Sequence, residues 1–209
     1  MKNIWDFLAK GGIIMIPLFL CSITGLAVII EKFVSLRRRK VIVPEVVSVL
    51  ENVKDENELG LAVSICEKHS GPFANIIRIG LENHGLDRDS IKETLLDQGR
   101  QELHQLEKGL GILETIAGIA PLLGLLGTVL GILKVFKVIS VMGVGQATAL
   151  AGGISEALIT TIAGLFIGIP ALVAYNYFTS RAEALVLEIE KYSNHLLYKI
   201  GTFKAAAEH

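Results

Sequence analysis

The sequence predicts an all-α integral membrane protein with three transmembrane helices, the second and third extended into a cytoplasmic helical bundle. Three observations carry this reading. The 209-residue chain is 51% hydrophobic yet only 6% aromatic, and its mean hydropathy of +0.54 is too high for an ordinary soluble domain. Three uncharged runs, residues 11–30, 115–133 and 157–180, each match the roughly 20 helical residues that cross a hydrocarbon core. Beyond the second and third runs, apolar residues keep helical spacing without lipid-like continuity.

Residues 1–10 place Ile4, Trp5 and Leu8 on one helical side, as expected of an interfacial helix on the outer side of the membrane. The first span, residues 11–31, is interrupted by Pro17 and Gly25 and lacks a small-residue cleavage site, so it reads as an uncleaved anchor. Arg37, Arg38, Arg39 and Lys40 follow at once, the densest basic cluster in the chain. By the positive-inside rule this end is cytoplasmic, and the cluster is also a candidate contact for lipid headgroups. The N-terminus is then periplasmic, and Lys134 and Lys137 on the outer side are outweighed by the five basic residues between Lys32 and Lys40.

Residues 32–109 form the cytoplasmic helical region. Pro44 opens one helix, Asn57 caps another, and Gly71-Pro72 breaks before a third. Ser90 and Glu93 have capping-box spacing. From Ile91 through Leu113 the apolar period is unbroken, which predicts one helix from Ser90 to Ile139, roughly 75 Å long. The second span covers residues 110–139, a short outer loop residues 140–156, and the third span residues 157–180. Residues 181–209 continue as a cytoplasmic helix through Leu185, Ile189, Tyr192, Leu196 and Ile200, ending in a tail without periodicity.

The chain shows no sign of enzymatic chemistry. His69, His84, His104 and His195 lack metal-ligand spacing with Cys66, and no nucleophile elbow, phosphate loop or HExxH motif occurs. Cys21 and Cys66 imply no disulfide framework. A net charge of −1 provides no field for nucleic acid, and no cofactor or metal is expected.

The second and third spans differ from plain anchors. Pro121, Gly124, Thr128, Gly131 and Val135 recur at steps of three and four on one face, with Gly127 completing GxxxG spacing to Gly131. In the third span Ala157, Thr161, Gly164, Gly168, Ala171 and Tyr175 do the same, and Pro170 lies beside them. Such faces pack helices closely, and each also carries a hydroxyl. Thr128 lies six residues inside Lys134 and Thr161 five inside Glu156, so antiparallel helices place both at one depth, about 8 to 9 Å from the charged ends. Hydroxyls both donate and accept, which suits a proton path. Neither span has an ionisable group in its middle, so a relay needs an acid from another chain.

The runs PLLGLLGTVLG (residues 121–131) and EALITTIAGLFIGIPA (residues 156–171) resemble the MotA/TolQ/ExbB proton-channel family, and three spans with one cytoplasmic insertion look like ExbB or TolQ rather than four-span MotA. The resemblance implies a homopentamer in a bacterial inner membrane. Its second and third spans would surround a single-span ExbD- or TolR-like partner whose transmembrane aspartate carries the proton, with work delivered through a TonB- or TolA-like protein. Carried over by position, Thr128 and Thr161 are pore hydroxyls facing that aspartate, Pro121 and Pro170 shape the pore helices, and Glu156 matches the glutamate opening the third span. Leu130 stands where many relatives have tryptophan, and Gly168 where alanine is frequent. Two other readings stay open: a non-conducting membrane scaffold in which glycine faces only pack helices, and a MotA-type flagellar or gliding stator.

Overall fold

In a computed structural model, residues 11–53, 58–143 and 147–207 are described, and all their regular structure is helical. The elements are α1 Met15–Ser35, α2 Arg38–Val41, α3 Pro44–Asn52, α4 Leu59–Lys68, α5 Pro72–Glu82, α6 Arg88–Glu107, α7 Leu110–Met142 and α8 Ala147–Ala207. Three of these helices, α1, α7 and α8, are long and apolar enough to cross a membrane. The interfacial helix expected over residues 1–10 and the cap expected at Asn57 lie outside the described residues.

The chain divides into two units. One contains the chain up to Glu31 together with Gly109–Tyr177, and the other contains Lys32–Lys108 with the chain from Phe178 onward. In the first, α1, α7 and the N-terminal part of α8 pack around Met15, Leu18, Ile116, Ala120 and Ala171. Most of the remaining large side chains point outward: Leu122 is 63% exposed and Phe166 79%. This inverted burial is what lipid permits, because hydrocarbon is as apolar as the side chains that meet it.

In the second unit, α3 to α6 and the C-terminal part of α8 enclose a conventional core. Phe73, wholly buried, stacks against Tyr192 with ring centroids 5.2 Å apart at 58°. Pro44 and Pro72 open α3 and α5 where a missing N–H costs nothing. Long basic side chains close helix ends. Lys199 donates to the carbonyls of Glu51 at 2.6 Å and Val53 at 3.0 Å, ending α3, while Lys32, only 3% exposed, donates to the Leu106 carbonyl at 3.2 Å, ending α6.

Three local expectations are corrected. The single helix from Ser90 to Ile139 is instead two, because Gly109 adopts φ 91°, a left-handed conformation that interrupts the hydrogen-bond ladder between α6 and α7. The cap of α6 is Asp87 rather than Ser90: its Oδ2 accepts from the Ser90 N–H at 3.0 Å and its Oδ1 from the Ser90 hydroxyl at 2.6 Å. Those bonds hold the Asp87 carboxyl below its ordinary range. The connection drawn over residues 140–156 is shorter, since α7 runs to Met142 and α8 starts at Ala147. Gly153 does not break α8 there; it is buried, and a Cβ on it would come within 3.2 Å of the Gly131 carbonyl oxygen.

Candidate functional site: the α7–α8 seam

The small-residue faces of α7 and α8 meet each other within one chain. A Cβ placed on Gly164 would lie 3.0 Å from the Gly124 Cα, and one on Gly124 would lie 2.9 Å from the Thr160 carbonyl oxygen. Farther along, Gly131 is set against Ala157 and Gly153, and Gly168 against the ring of Pro121, where a Cβ would lie 2.7 Å from the proline Cγ. Only hydrogen at these positions lets the two backbones approach this closely. Gly124, Gly127, Gly131, Gly164 and Gly168 are therefore all buried in the seam, with Pro121 half-buried beside them and Pro170 exposed. The prolines leave the Ala117 and Phe166 carbonyls without their usual intrahelical donors.

At the centre of the seam the two predicted hydroxyls come together. Thr128 and Thr161 hydrogen-bond each other through their Oγ1 atoms. Thr128 also reaches the carbonyls of Gly124 and Ala157, both at 3.3 Å, and Thr161 reaches the same two at 3.2 and 3.4 Å. Each threonine thus touches the carbonyl four residues before it and the carbonyl that backs its partner. Two hydroxyl protons serve five donor–acceptor links, so rotating the hydroxyls changes the bonding pattern without moving a heavy atom. Both residues are half-buried rather than sealed.

Thr160, unremarked at the sequence level, is wholly buried and donates to the Ala157 carbonyl at 2.9 Å while filling the space above Gly127. It lies three residues after Ala157 and four before Gly164, at the edge of the small face, and that spacing was the available signal for it. Glu156 and Lys134 join across the connection end of the seam, the ammonium donating to Oε1 at 2.5 Å. Both residues mark span ends in the sequence, and that shared depth was the available signal for the pair. Leu130 lines a cavity of about 240 Å³ together with Ile14, Leu133, Lys137 and Glu156.

The basic cluster is divided by the fold. Arg38 pairs with Glu188, which raises the guanidinium and lowers the carboxyl from their ordinary values, in each case chiefly through the side-chain hydrogen bond. Arg37 stands over the Phe33 ring, 5.8 Å from its centroid, and Arg39 and Lys40 are exposed. Among the described residues, no cluster of His, Cys, Asp and Glu could hold a metal ion.

Comparison with known proteins places this arrangement. Residues 68–191, which include the whole seam from Pro121 to Ala171, match the MotA/TolQ/ExbB proton channel family. An ExbB homolog of Methanothermobacter thermautotrophicus, named as a biopolymer transport protein, is 30% identical over 193 residues, covering 90% of this chain and 67% of the relative. The Tol-Pal system protein TolQ of Pseudomonas aeruginosa is 28% identical over 206 residues, 88% of this chain and 86% of the relative. The biopolymer transport protein ExbB of Neisseria gonorrhoeae is 27% identical over 199 residues, 88% of this chain and 89% of the relative. With three membrane-spanning helices, a seam of glycines and threonines, and similarity along most of its length, this multi-pass membrane protein belongs to the MotA/TolQ/ExbB proton channel family, a family of channels rather than enzymes.

Proposed function

We propose that the chain is the proton-channel subunit of an inner-membrane motor that turns proton-motive force into envelope work. The observation that carries this reading is the Thr128–Thr161 cluster: two hydroxyls of half-buried residues and two backbone carbonyls at one depth, in spans with no acid in their middle. Such a cluster binds and passes a proton's hydrogen bond but does not itself titrate. A single-span ExbD- or TolR-like partner with an aspartate at that depth supplies the titrating group. Copies of the chain, five by the family resemblance, surround the partner's helices, and a TonB- or TolA-like protein transmits the work. In this arrangement the N-terminus is periplasmic, the C-terminus is cytoplasmic, and Glu156 with Lys134 lies near the periplasmic mouth. Each proton crossing 100 mV releases about 2.3 kcal/mol to drive the cycle.

Partner release and proton entry follow from one exchange. The ionised aspartate accepts from the Thr128 and Thr161 hydroxyls. Once protonated it donates instead, and the threonine protons turn back to the Gly124 and Ala157 carbonyls. The test is Thr161→Val in cells that depend on the motor, with Thr161→Ser as control. Loss of coupling in the valine variant, with the complex still assembled and the serine variant active, is expected; full coupling in the valine variant overturns the assigned role.

A second reading, a non-conducting scaffold, is favoured by one observation: the glycines of both faces are occupied by contacts within the chain. It expects Thr128→Val and Thr161→Val to be tolerated alike, and Gly164→Leu alone to be damaging.

A further inference from the structure

We infer that the membrane-spanning unit holds one anionic phospholipid in the leaflet nearer the α7–α8 connection, its phosphate on Lys137 and an acyl chain in the cavity below. That cavity, of about 240 Å³, is lined by Ile14 just before α1, by Leu130, Leu133, Lys134 and Lys137 of α7, and by Glu156 of α8. Its two ends differ in chemistry. Leu130, Lys134 and Lys137 follow at steps of four and three on one side of α7, which puts Lys137 about 10 Å beyond Leu130 along the helix. The uncharged run of α7 ends at residue 133, so the apolar end lies at hydrocarbon depth and the lysines lie at the boundary where lipid headgroups begin.

Charge selects the headgroup. Glu156 and Lys134 satisfy each other, the ammonium donating to Oε1 at 2.5 Å. Lys137 is exposed, and among the described residues no carboxylate pairs with it. The charged end of the cavity therefore has one positive charge in excess, which complements the single negative charge of a phosphodiester. A free phosphate would meet Lys137 equally well, but it would leave the leucine and isoleucine end unfilled, and water gains nothing there. One molecule with a phosphate at its head and hydrocarbon behind it satisfies both ends.

The surroundings favour a lipid over a protein segment. Ile13, Ile16 and Phe136 are 74%, 63% and 63% exposed, the outward surface that hydrocarbon covers. An acyl chain enters the cavity from that hydrocarbon without bringing polar groups. An extended peptide would bring N–H and C=O groups, while the polar side chains of the lining, Lys134, Lys137 and Glu156, all stand at one end. A helix, about 10–12 Å across with its side chains, is too wide for a cavity of this volume. Leu130, half-buried, sets the room available, so a larger ring at that position takes the place of the acyl chain.

The test uses the full-length chain reconstituted in vesicles of equal parts phosphatidylglycerol and phosphatidylcholine with matched acyl chains, then transferred to detergent for native mass spectrometry. Retention of one phosphatidylglycerol per chain, in preference to phosphatidylcholine, is expected. Lys137→Gln, a change at an exposed position, is expected to lower that retention at least about fivefold. Leu130→Trp is expected to lower it by filling the cavity while Lys137 stays in place. Equal retention of the two lipids by the unchanged chain overturns the site, as does undiminished phosphatidylglycerol on Lys137→Gln or on a folded Leu130→Trp. A chain that retains no lipid overturns it as well, because residues 1–10 or a second copy would then fill the cavity. Added inorganic phosphate separates the two phosphate sources: phosphate bound where no lipid is kept makes Lys137 a simple anion site and overturns the lipid.

Discussion

Gly124 and Gly164 stand back to back in the α7–α8 seam, so close that a Cβ on the second would sit 3.0 Å from the Cα of the first. Gly164→Ala is therefore expected to destabilise by about 1–3 kcal/mol, because the atoms it meets are backbone and cannot turn aside. Gly118, where an added Cβ would meet nothing within 4 Å, is the control: Gly118→Ala is expected to be neutral or stabilising by up to about 1 kcal/mol. Thermal melts of the purified chain in detergent distinguish the two.

Adjacent threonines separate packing from function. Thr160→Val removes a wholly buried hydroxyl that bonds only to its own helix, so a loss of about 0.6 kcal/mol or less in stability and normal coupling are expected. Thr161→Val removes the hydroxyl that links α8 to Thr128 and is expected to abolish coupling at similar stability. Measuring both variants in one motor-dependent growth assay, with melts alongside, checks the pair; equal growth would assign both residues to packing.

Acid should loosen the second unit through Glu188. Its carboxyl is lowered by the Arg38 hydrogen bond, so the folded state holds the proton less tightly than the unfolded state does. The stability this contributes is present above the ordinary carboxylate range, about pH 4.3, and is lost as pH falls through the lowered folded value. Glu188→Gln is expected to flatten the acid limb of a melting-temperature profile below about pH 4.5 and to leave it unchanged at neutral pH apart from a uniform offset.

Cys66 should be chemically silent. Burial pushes its thiol up to about 11, so almost no thiolate exists at pH 8. Maleimide labelling of the folded chain at that pH is expected to miss Cys66 and to reach it only after denaturation, which mass spectrometry of the labelled peptides reads directly. Labelling at the rate of an exposed cysteine would show that α4 opens readily.

Replacing Lys32 tests the closing of α6. The residue is 3% exposed, and its ammonium donates to the Leu106 carbonyl. Lys32→Ala is expected to cost about 1–3 kcal/mol, and Lys32→Met less, since methionine keeps the packing of the aliphatic stem. Detergent melts of the two variants give the difference.

The seam was legible in the sequence because helical geometry maps spacing onto faces: Gly124, Thr128 and Gly131 had to share one side of α7, and charged ends set the depth of Thr128 and Thr161. What spacing does not report is what a face meets. The glycines fit a pore wall or a helix contact equally well, and only the approach of Gly124 to Gly164 decides that they pack together in one chain. Gly109 was hidden for a related reason, since the apolar period continues across it and the interruption is a backbone dihedral. Asp87 was missed because Ser90, which it caps, belongs to a pattern that looks like a cap itself.

The closed glycine seam also bears on inhibition. An open GxxxG face is a seat for another transmembrane helix. Here that seat is already filled by the chain's own second half, and the surface left for a stranger is one of leucine, isoleucine and phenylalanine. A transmembrane peptide that copies either GxxxG face therefore finds its seat already taken, because the facing helix of the same chain fills it.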